Sequence, residues 1–323
     1  MPISEPKPIN LEGVKGDRYW FEESYPYTGV ADVDERLNGF PVEVYLPQNR
    51  PAKDAPLVIG LQGVSAPIYY NEFIVPPLTQ MGFAVALLET LFAGERSVVR
   101  TDTKMPQKEI LPLVKRKIPF NTELLLRLFQ QTSLNIAQVH QLCRDRYGVS
   151  QERLSLFGVS MGVLFSSYAF TVDGIGERLF GAIGHSDLLT FVKSWSGNFL
   201  PDVASPFSPG VEEIMRRTHP DIKSVIKLLK LAKVITSDTD EYARACNPMN
   251  YIDRVKLPRR ARFLVGEIDN IIDFKDAEDC ARRFPDGEAY VVPDMGHGSN
   301  RSGPNFLEHT LFFLTNQLAD WAS

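Results

Sequence analysis

The chain is short of the residues that would make it several other kinds of protein. Only three cysteines, Cys143, Cys246 and Cys280, occur in 323 residues, and no two are spaced as CxxC. That excludes a disulfide-stapled scaffold, and the odd count points to reduced, structural thiols. Histidine is also scarce. The five histidines do not cluster, and His185 with Asp187 is too small a set for a metal site. Basic charge is not in excess: the net charge is −5, which argues against a nucleic-acid binder. No apolar run is long enough to cross a bilayer, and the stretch MPISEPKPINLEGVKGDRYW lacks the apolar segment of a secretory leader. The expected location is cytoplasmic, without stable membrane insertion. The first apolar strand runs into LQGVSAP, not into GxGxxG or GxxxxGK[ST], so nothing cradles a dinucleotide or nucleotide phosphate. No cofactor or metal is expected. There is no internal repeat and no low-complexity segment.

With 44% hydrophobic and 23% charged residues, the length suits one large domain or a domain with an insertion. The informative stretch is RLSLFGVSMGVL, residues 153 to 164. An apolar strand through Leu154, Leu156 and Phe157 meets Gly158-Val159-Ser160-Met161-Gly162, and a helix-compatible run follows. A strand that reverses into a helix this fast brings its backbone against itself, so a Cβ at 158 or 162 would clash. The serine at the apex is then held at an unusual φ/ψ, its hydroxyl projecting, with a helix N-terminus aimed at the same place. The plainer alternative is a glycine-rich turn in which Ser160 caps the helix.

Around this turn the chain alternates strand and helix. Residues 57–61, 83–88, 154–157, 180–184, 262–265 and 288–292 read as buried strands, the pattern of a mostly parallel sheet covered on both faces. Residues 18–47 read as edge strands joined by turns, and residues 1–20, with Pro2, Pro6 and Pro8, as an arm. Helices are expected at 121–146, capped by Asn121; in DFKDAEDCARRF, capped by Asp273 with Asp276 as its capping-box partner; and from 304 to 321. Residues 94–120 hold seven basic residues, Arg96 among them, against three acidic, either as a solvated excursion or as a basic rim that steers an anionic substrate. Residues 188–245 break the rhythm with helical segments, one amphipathic with a lysine side, and read as a lid over the site. The organisation expected is a core of 1–187 and 246–323 with a lid insertion at 188–245.

A serine nucleophile needs a base within hydrogen-bond reach and a carboxylate that fixes the base's tautomer. Histidine titrates near neutrality and is the natural base. His297 lies in the glycine-flanked loop MGHGS just past a strand end; His309 falls inside the last helix, His219 in the lid, and His140 on the 121–146 helix. For the carboxylate, Asp269 follows the strand at 262–265. Asp187 also ends a strand and is the alternative acid. Asp273 is committed to capping, Glu267 points aside, and Asp294 is too near His297 in sequence.

The order nucleophile, acid, histidine, with GVSMG at 158–162, GEIDNII at 266–272 and DMGHG at 294–298, resembles the alpha/beta-hydrolase superfamily over roughly residues 40 to 320. The resemblance implies that fold and a Ser160–His297–Asp269 triad. It implies an oxyanion hole from the N–H of Met161 and of Val64, or Gln62, where many relatives carry His-Gly and this chain has Gln62-Gly63. The reaction implied is hydrolysis of a carboxylic ester through an acyl-enzyme. Thioester, amide or peptide, lactone or C–C bond cleavage, acyl transfer, and a non-catalytic scaffold are the alternatives. Gln62, Tyr69, Tyr70 and Phe73 are pocket candidates for a small, partly apolar substrate. An apolar lid face leaves homo-oligomer formation open.

Overall fold

A computed structural model describes residues 3–63, 66–97, 118–119, 121–199, 230–297 and 305–322. Nine strands form one sheet: β1 (Lys7–Leu11), β2 (Val14–Glu22), β3 (Gly39–Tyr45), β4 (Leu57–Leu61), β5 (Ala84–Leu88), β6 (Leu154–Val159), β7 (Arg178–Ala182), β8 (Arg260–Gly266) and β9 (Gly287–Val292). Their spatial order is β1-β2-β3-β5-β4-β6-β7-β8-β9. The first three strands run antiparallel, and β5 through β9 are parallel. The mostly parallel sheet is as expected. Strand order reverses between β5-β4 and β6, and clefts in open sheets of this kind form outside the strand ends at such a reversal.

The alternation along the central strands sorts their side chains into two cores. Leu57, Ile59 and Leu61 of β4 and Ala84, Ala86 and Leu88 of β5 face one core, completed by helices α3 (Thr122–Tyr147) and α4 (Met161–Thr171). Val58, Val85, Leu87, Phe157 and Phe180 face the other, completed by α2 (Val75–Gln80) and α8 (Asn305–Leu318). Strands apolar on both faces are what a doubly covered sheet demands. Asn121 caps α3 by accepting from the Leu124 N–H at 3.0 Å, and Gly148 ends it in the left-handed region at φ 70°. Leu134 of this helix is exposed.

Three elements depart from expectation. Residues 7–22 are a hairpin, not an arm. Pro8 is accommodated because β1 is the sheet's outer edge, where a missing N–H leaves no neighbour unpaired. The turn expected within 18–47 contains α1 (Ala31–Asn38), whose buried apolar residues are only Val33 and Leu37, too few to give a periodic signal. Arg96 is not on a basic rim. It is fully buried, its guanidinium on Glu23 at 3.3 Å, the Leu37 carbonyl at 2.9 Å and Asn135 Oδ1 at 3.0 Å, above the Phe40 ring. Residues 98–117 of the basic segment lie outside the described residues.

Between β7 and β8 run α5 (Leu188–Phe199), a helical stretch at 230–236, α6 (Glu241–Cys246) and a 3-10 segment, Pro248–Arg254. Leu188, Phe191, Ala232, Ile235, Ala243 and Cys246 pack into the first core. Residues 200–229, with His219, lie outside the described residues. Helix α7 (Phe274–Arg282) is capped by Asp273, which accepts from the Lys275 N–H at 2.9 Å. Asp276 does not complete a capping box: its carboxylate accepts the Ser194 hydroxyl at 2.7 Å and ties α7 to α5. All three cysteines are free and buried.

Candidate active site

The turn between β6 and α4 is tight for the reason the spacing suggests. A Cβ on Gly158 would lie 2.4 Å from the Gly162 carbonyl carbon, and one on Gly162 would lie 2.4 Å from the Leu61 carbonyl oxygen at the end of β4. Both obstacles are backbone, which cannot swing away. Ser160 sits between them at φ 52°, ψ −119°, a strained conformation for a residue with a Cβ. Its N–H donates to the Ala182 carbonyl at 2.9 Å, pinning the turn to β7. The hydroxyl does not cap α4. It lies 3.0 Å from His297 Nε2 instead. The capping alternative therefore fails on geometry.

His297 and Asp269 come from loops stitched to each other. Past the ends of β8 and β9, the Glu267 N–H donates to the Val292 carbonyl at 3.0 Å and the Ile268 N–H to the Met295 carbonyl at 3.2 Å. Asp269 Oδ2 then accepts from His297 Nδ1 at 2.8 Å. Asp269 Oδ1 accepts the N–H groups of Ile271 at 2.8 Å and Ile272 at 2.9 Å, which lock the carboxylate's rotation. With Nδ1–H directed at the carboxylate, the Nε2 lone pair faces Ser160. The competing groups are occupied or turned away. Asp187 accepts from Asn247 Nδ2 at 3.0 Å and the Leu189 N–H at 3.1 Å, bracing the β7 exit. Glu267 and Asp294 are exposed.

Met161 opens α4 beside Ser160, so its N–H belongs to the helix's first turn, where partial positive charge gathers. Gly63 comes against the serine: a Cβ there would be 3.4 Å from Ser160 Cβ. Val64 lies outside the described residues. Gln62 is 1% exposed and its Nε2 has no hydrogen-bond partner among the described residues, so it is not in an open pocket. Tyr69 is 57% exposed and stacks on Tyr70 at 5.1 Å, while Phe73 meets Phe306 of α8 edge-on at 6.3 Å.

Two polar residues nearby are buried, which the sequence did not show. His185, fully buried beside Phe191, accepts the Asp187 N–H at Nδ1, and its Nε2 has no partner among the described residues; burial pushes its imidazole down to about 4. Glu89, the first residue past β5, is 1% exposed, and burial pushes its carboxyl up to about 7. The available signal was an acid directly after the apolar run FAVALL. Among the described residues no cluster of histidine, cysteine and carboxylate could hold a metal ion, and no helix is long and apolar enough to cross a membrane.

No protein-family model and no curated protein sequence matches the chain. Solved structures do. An acetyl xylan esterase from Paenibacillus sp. R4 superposes with a TM-score of 0.59 at 14% identity, over 98% of this chain and 89% of that one. Est1E from Butyrivibrio proteoclasticus gives a TM-score of 0.51 at 12% identity, over 98% and 99%. The acylaminoacyl peptidase of Pyrococcus horikoshii gives 0.58 at 14% identity, over 98% of this chain but only 42% of that one. With the sheet order, the serine at the β6 turn and the ordered acid and histidine loops, these likenesses establish that the chain is built on the alpha/beta-hydrolase fold.

Proposed function

We propose that this chain is a serine hydrolase that cleaves a carboxylic ester through an acyl-enzyme. Ser160 is the nucleophile, His297 the general base, and Asp269 the carboxylate that orients it. The observation that carries the reading is the continuous hydrogen-bonded path from Ser160 Oγ through His297 to Asp269, with contacts of 3.0 and 2.8 Å. Distances of this kind suit proton transfer.

In the reaction, His297 Nε2 takes the hydroxyl proton as Ser160 Oγ attacks the carbonyl carbon. The oxyanion is held by the Met161 N–H and by an N–H of the turn after β4, for which Val64 is the donor expected. Two such donors are worth about 3 kcal/mol each in serine hydrolases where one has been removed. The imidazolium protonates the leaving alkoxide, and a water deprotonated by the same ring then releases the acid. Asp269 stays ionised and stabilises the imidazolium.

The esterases among the structural neighbours support an ester as the first substrate class to try. Tyr69, Tyr70 and Phe73 offer aromatic surface to a partly apolar acyl or alcohol group. Residues 188–245 are proposed as a lid, and the working location is cytoplasmic. The test is a hydrolysis profile over p-nitrophenyl esters of two to sixteen carbons, with fluorophosphonate labelling, for wild type and Ser160→Ala. Turnover with a chain-length preference, lost by about 10⁴-fold or more in the variant, is expected. Labelling without ester turnover moves the assignment to an amide, lactone, thioester or C–C substrate. Neither turnover nor labelling leaves a non-catalytic scaffold.

A further inference from the structure

The chain leaving β4 passes Ser160 and is then held by a buried carboxylate. At the near end, Gly63 follows β4 and rests against Ser160. The Ala66 N–H closes back on the Gly63 carbonyl at 3.2 Å. Pro67 follows, then a 3-10 segment from Ile68 to Ile74. The first N–H groups of any helix lack partners within it, and a side chain at the N-cap usually supplies one. Pro67 stands at that cap and has no side-chain acceptor.

Glu89 supplies it from the neighbouring strand. Its Oε1 accepts the Ile68 N–H at 3.1 Å. Its Oε2 accepts the Glu95 N–H at 2.7 Å, in a second 3-10 segment, Gly94–Arg96, whose own cap, Ala93, also has no side-chain acceptor. One carboxylate therefore terminates two helical segments. The fit is close: a Cβ on Gly94, which lies at φ 46°, would come within 1.7 Å of Glu89 Oε1, so only glycine lets the carboxylate in. The register explains the reach. Pairing of β4 with β5 ends at Leu61 opposite Leu88, which puts Glu89 at the first position past the paired strand.

We propose that Glu89 is a positioning residue for the hydrolytic reaction: by capping the segment that begins at Ile68, it keeps the end of β4, through Gln62 and Gly63, against Ser160, where a backbone N–H at that end can meet the oxyanion. The inference rests on the Ser160 hydrolase reading. A group that only holds donors in place affects the tetrahedral state more than substrate binding. A displacement of about 1 Å at such a site costs about 100-fold in rate.

Glu89→Gln tests it. The amide matches the carboxylate in size but sets an NH₂ group against one of the two backbone N–H donors. In the active wild-type background, kcat for the best p-nitrophenyl ester should fall about 10- to 100-fold with KM within twofold. Affinity for phenylboronic acid, which forms a tetrahedral adduct on the serine, should fall by a matching factor, and affinity for the product acid should not. A kcat within twofold of wild type, or a lower kcat with unchanged boronic-acid affinity, overturns the proposal. If Glu89→Gln does not fold, hydrogen exchange on the wild type decides. Protection of the Ile68 and Glu95 amides that rises when the boronic acid binds supports the clamp. Exchange of either at the free rate, or protection that does not respond, overturns it. A wild type that neither turns over esters nor binds the boronic acid overturns the hydrolase reading, and this inference with it.

Discussion

At the scale of single residues, three buried side chains bear on activity or stability, and two of them carry a test. Asp269 turns both oxygens to His297 Nδ1, at 2.8 and 3.1 Å, and the farther one also accepts two backbone amides. Asp269→Asn can keep the amide contacts but presents an NH₂ to Nδ1, which forces the proton onto Nε2 and removes the base. We expect kcat to fall about 10⁴-fold with the denaturation midpoint little changed. Glu89 and His185 bear on stability with opposite signs. Burial holds Glu89 at about 7, against an ordinary 4.5. Between those values the unfolded chain has lost a proton the folded chain keeps, so this contribution falls as pH rises. Burial holds His185 at about 4, against 6.5, with nearby Asp187 opposing. Between those values the unfolded chain gains a proton the folded chain refuses, so this contribution falls as pH drops. Each amounts to roughly 3 kcal/mol over its window, at about 1.4 kcal/mol per pH unit. The windows overlap from pH 4.5 to 6.5, and there the two oppose each other. Glu89→Gln removes one side, so the variant should gain stability relative to wild type as pH rises from 4.5 to 6.5. Urea midpoints across that range check it, and a parallel pair of curves would mean that Glu89 titrates like an exposed carboxylate.

At the scale of elements, the site depends on three strand ends meeting at the start of one helix. Gly162 is the point of contact. Its α-carbon lies in the first turn of α4, and an added methyl would press on the backbone oxygens of Leu61 at 2.4 Å and Gln62 at 2.7 Å. Gly162→Ala should therefore push the β4 end away from Ser160, costing about 2 kcal/mol or more in stability and lowering kcat at the same time. Gly174→Ala is the control. It has open space around its Cβ but a φ of 71°, so only backbone strain of about 1 kcal/mol is expected, with kcat unchanged. Equal loss of activity in both variants would mean that the contact with β4 has no special role.

At the scale of the whole molecule, what could be read in advance follows from what burial does to composition. The central strands were legible because two-sided burial makes each a short apolar run. The elbow was legible because backbone contact at 158 and 162 admits only glycine. Ser160, Asp269 and His297, the proposed triad, could be singled out because they lie one, three and five residues past the ends of β6, β8 and β9. Arg96 was not, since a charge in a basic segment reads as surface, and its counterion Glu23 is 73 residues away. The N-terminal hairpin was hidden by Pro8, which an edge strand tolerates and an inner strand does not. The chain's last turn shows the same limit. Arg178, at the start of β7, is 3% exposed, and burial lowers its guanidinium pKa while Asp320 opposes the shift. Its guanidinium holds both oxygens of Asp320 at 2.6 Å, donates to the Gln317 carbonyl at 3.0 Å and lies 3.7 Å over the Trp321 ring. The two partners are unequally placed, because the Asp320 side chain is 55% exposed. Removing Arg178 leaves an aspartate that water can solvate, whereas removing Asp320 strands a buried cation. Asp320→Ala should therefore cost more than a volume-matched Arg178→Met: about 2–3 kcal/mol, below the 3–5 kcal/mol of a fully buried pair because solvent screens the exposed side. The double variant Arg178→Met, Asp320→Ala should recover part of that loss, since no stranded charge remains. A urea-denaturation cycle over the four proteins decides it: additive losses would mean that the Arg178–Asp320 pair contributes nothing beyond each residue's other contacts.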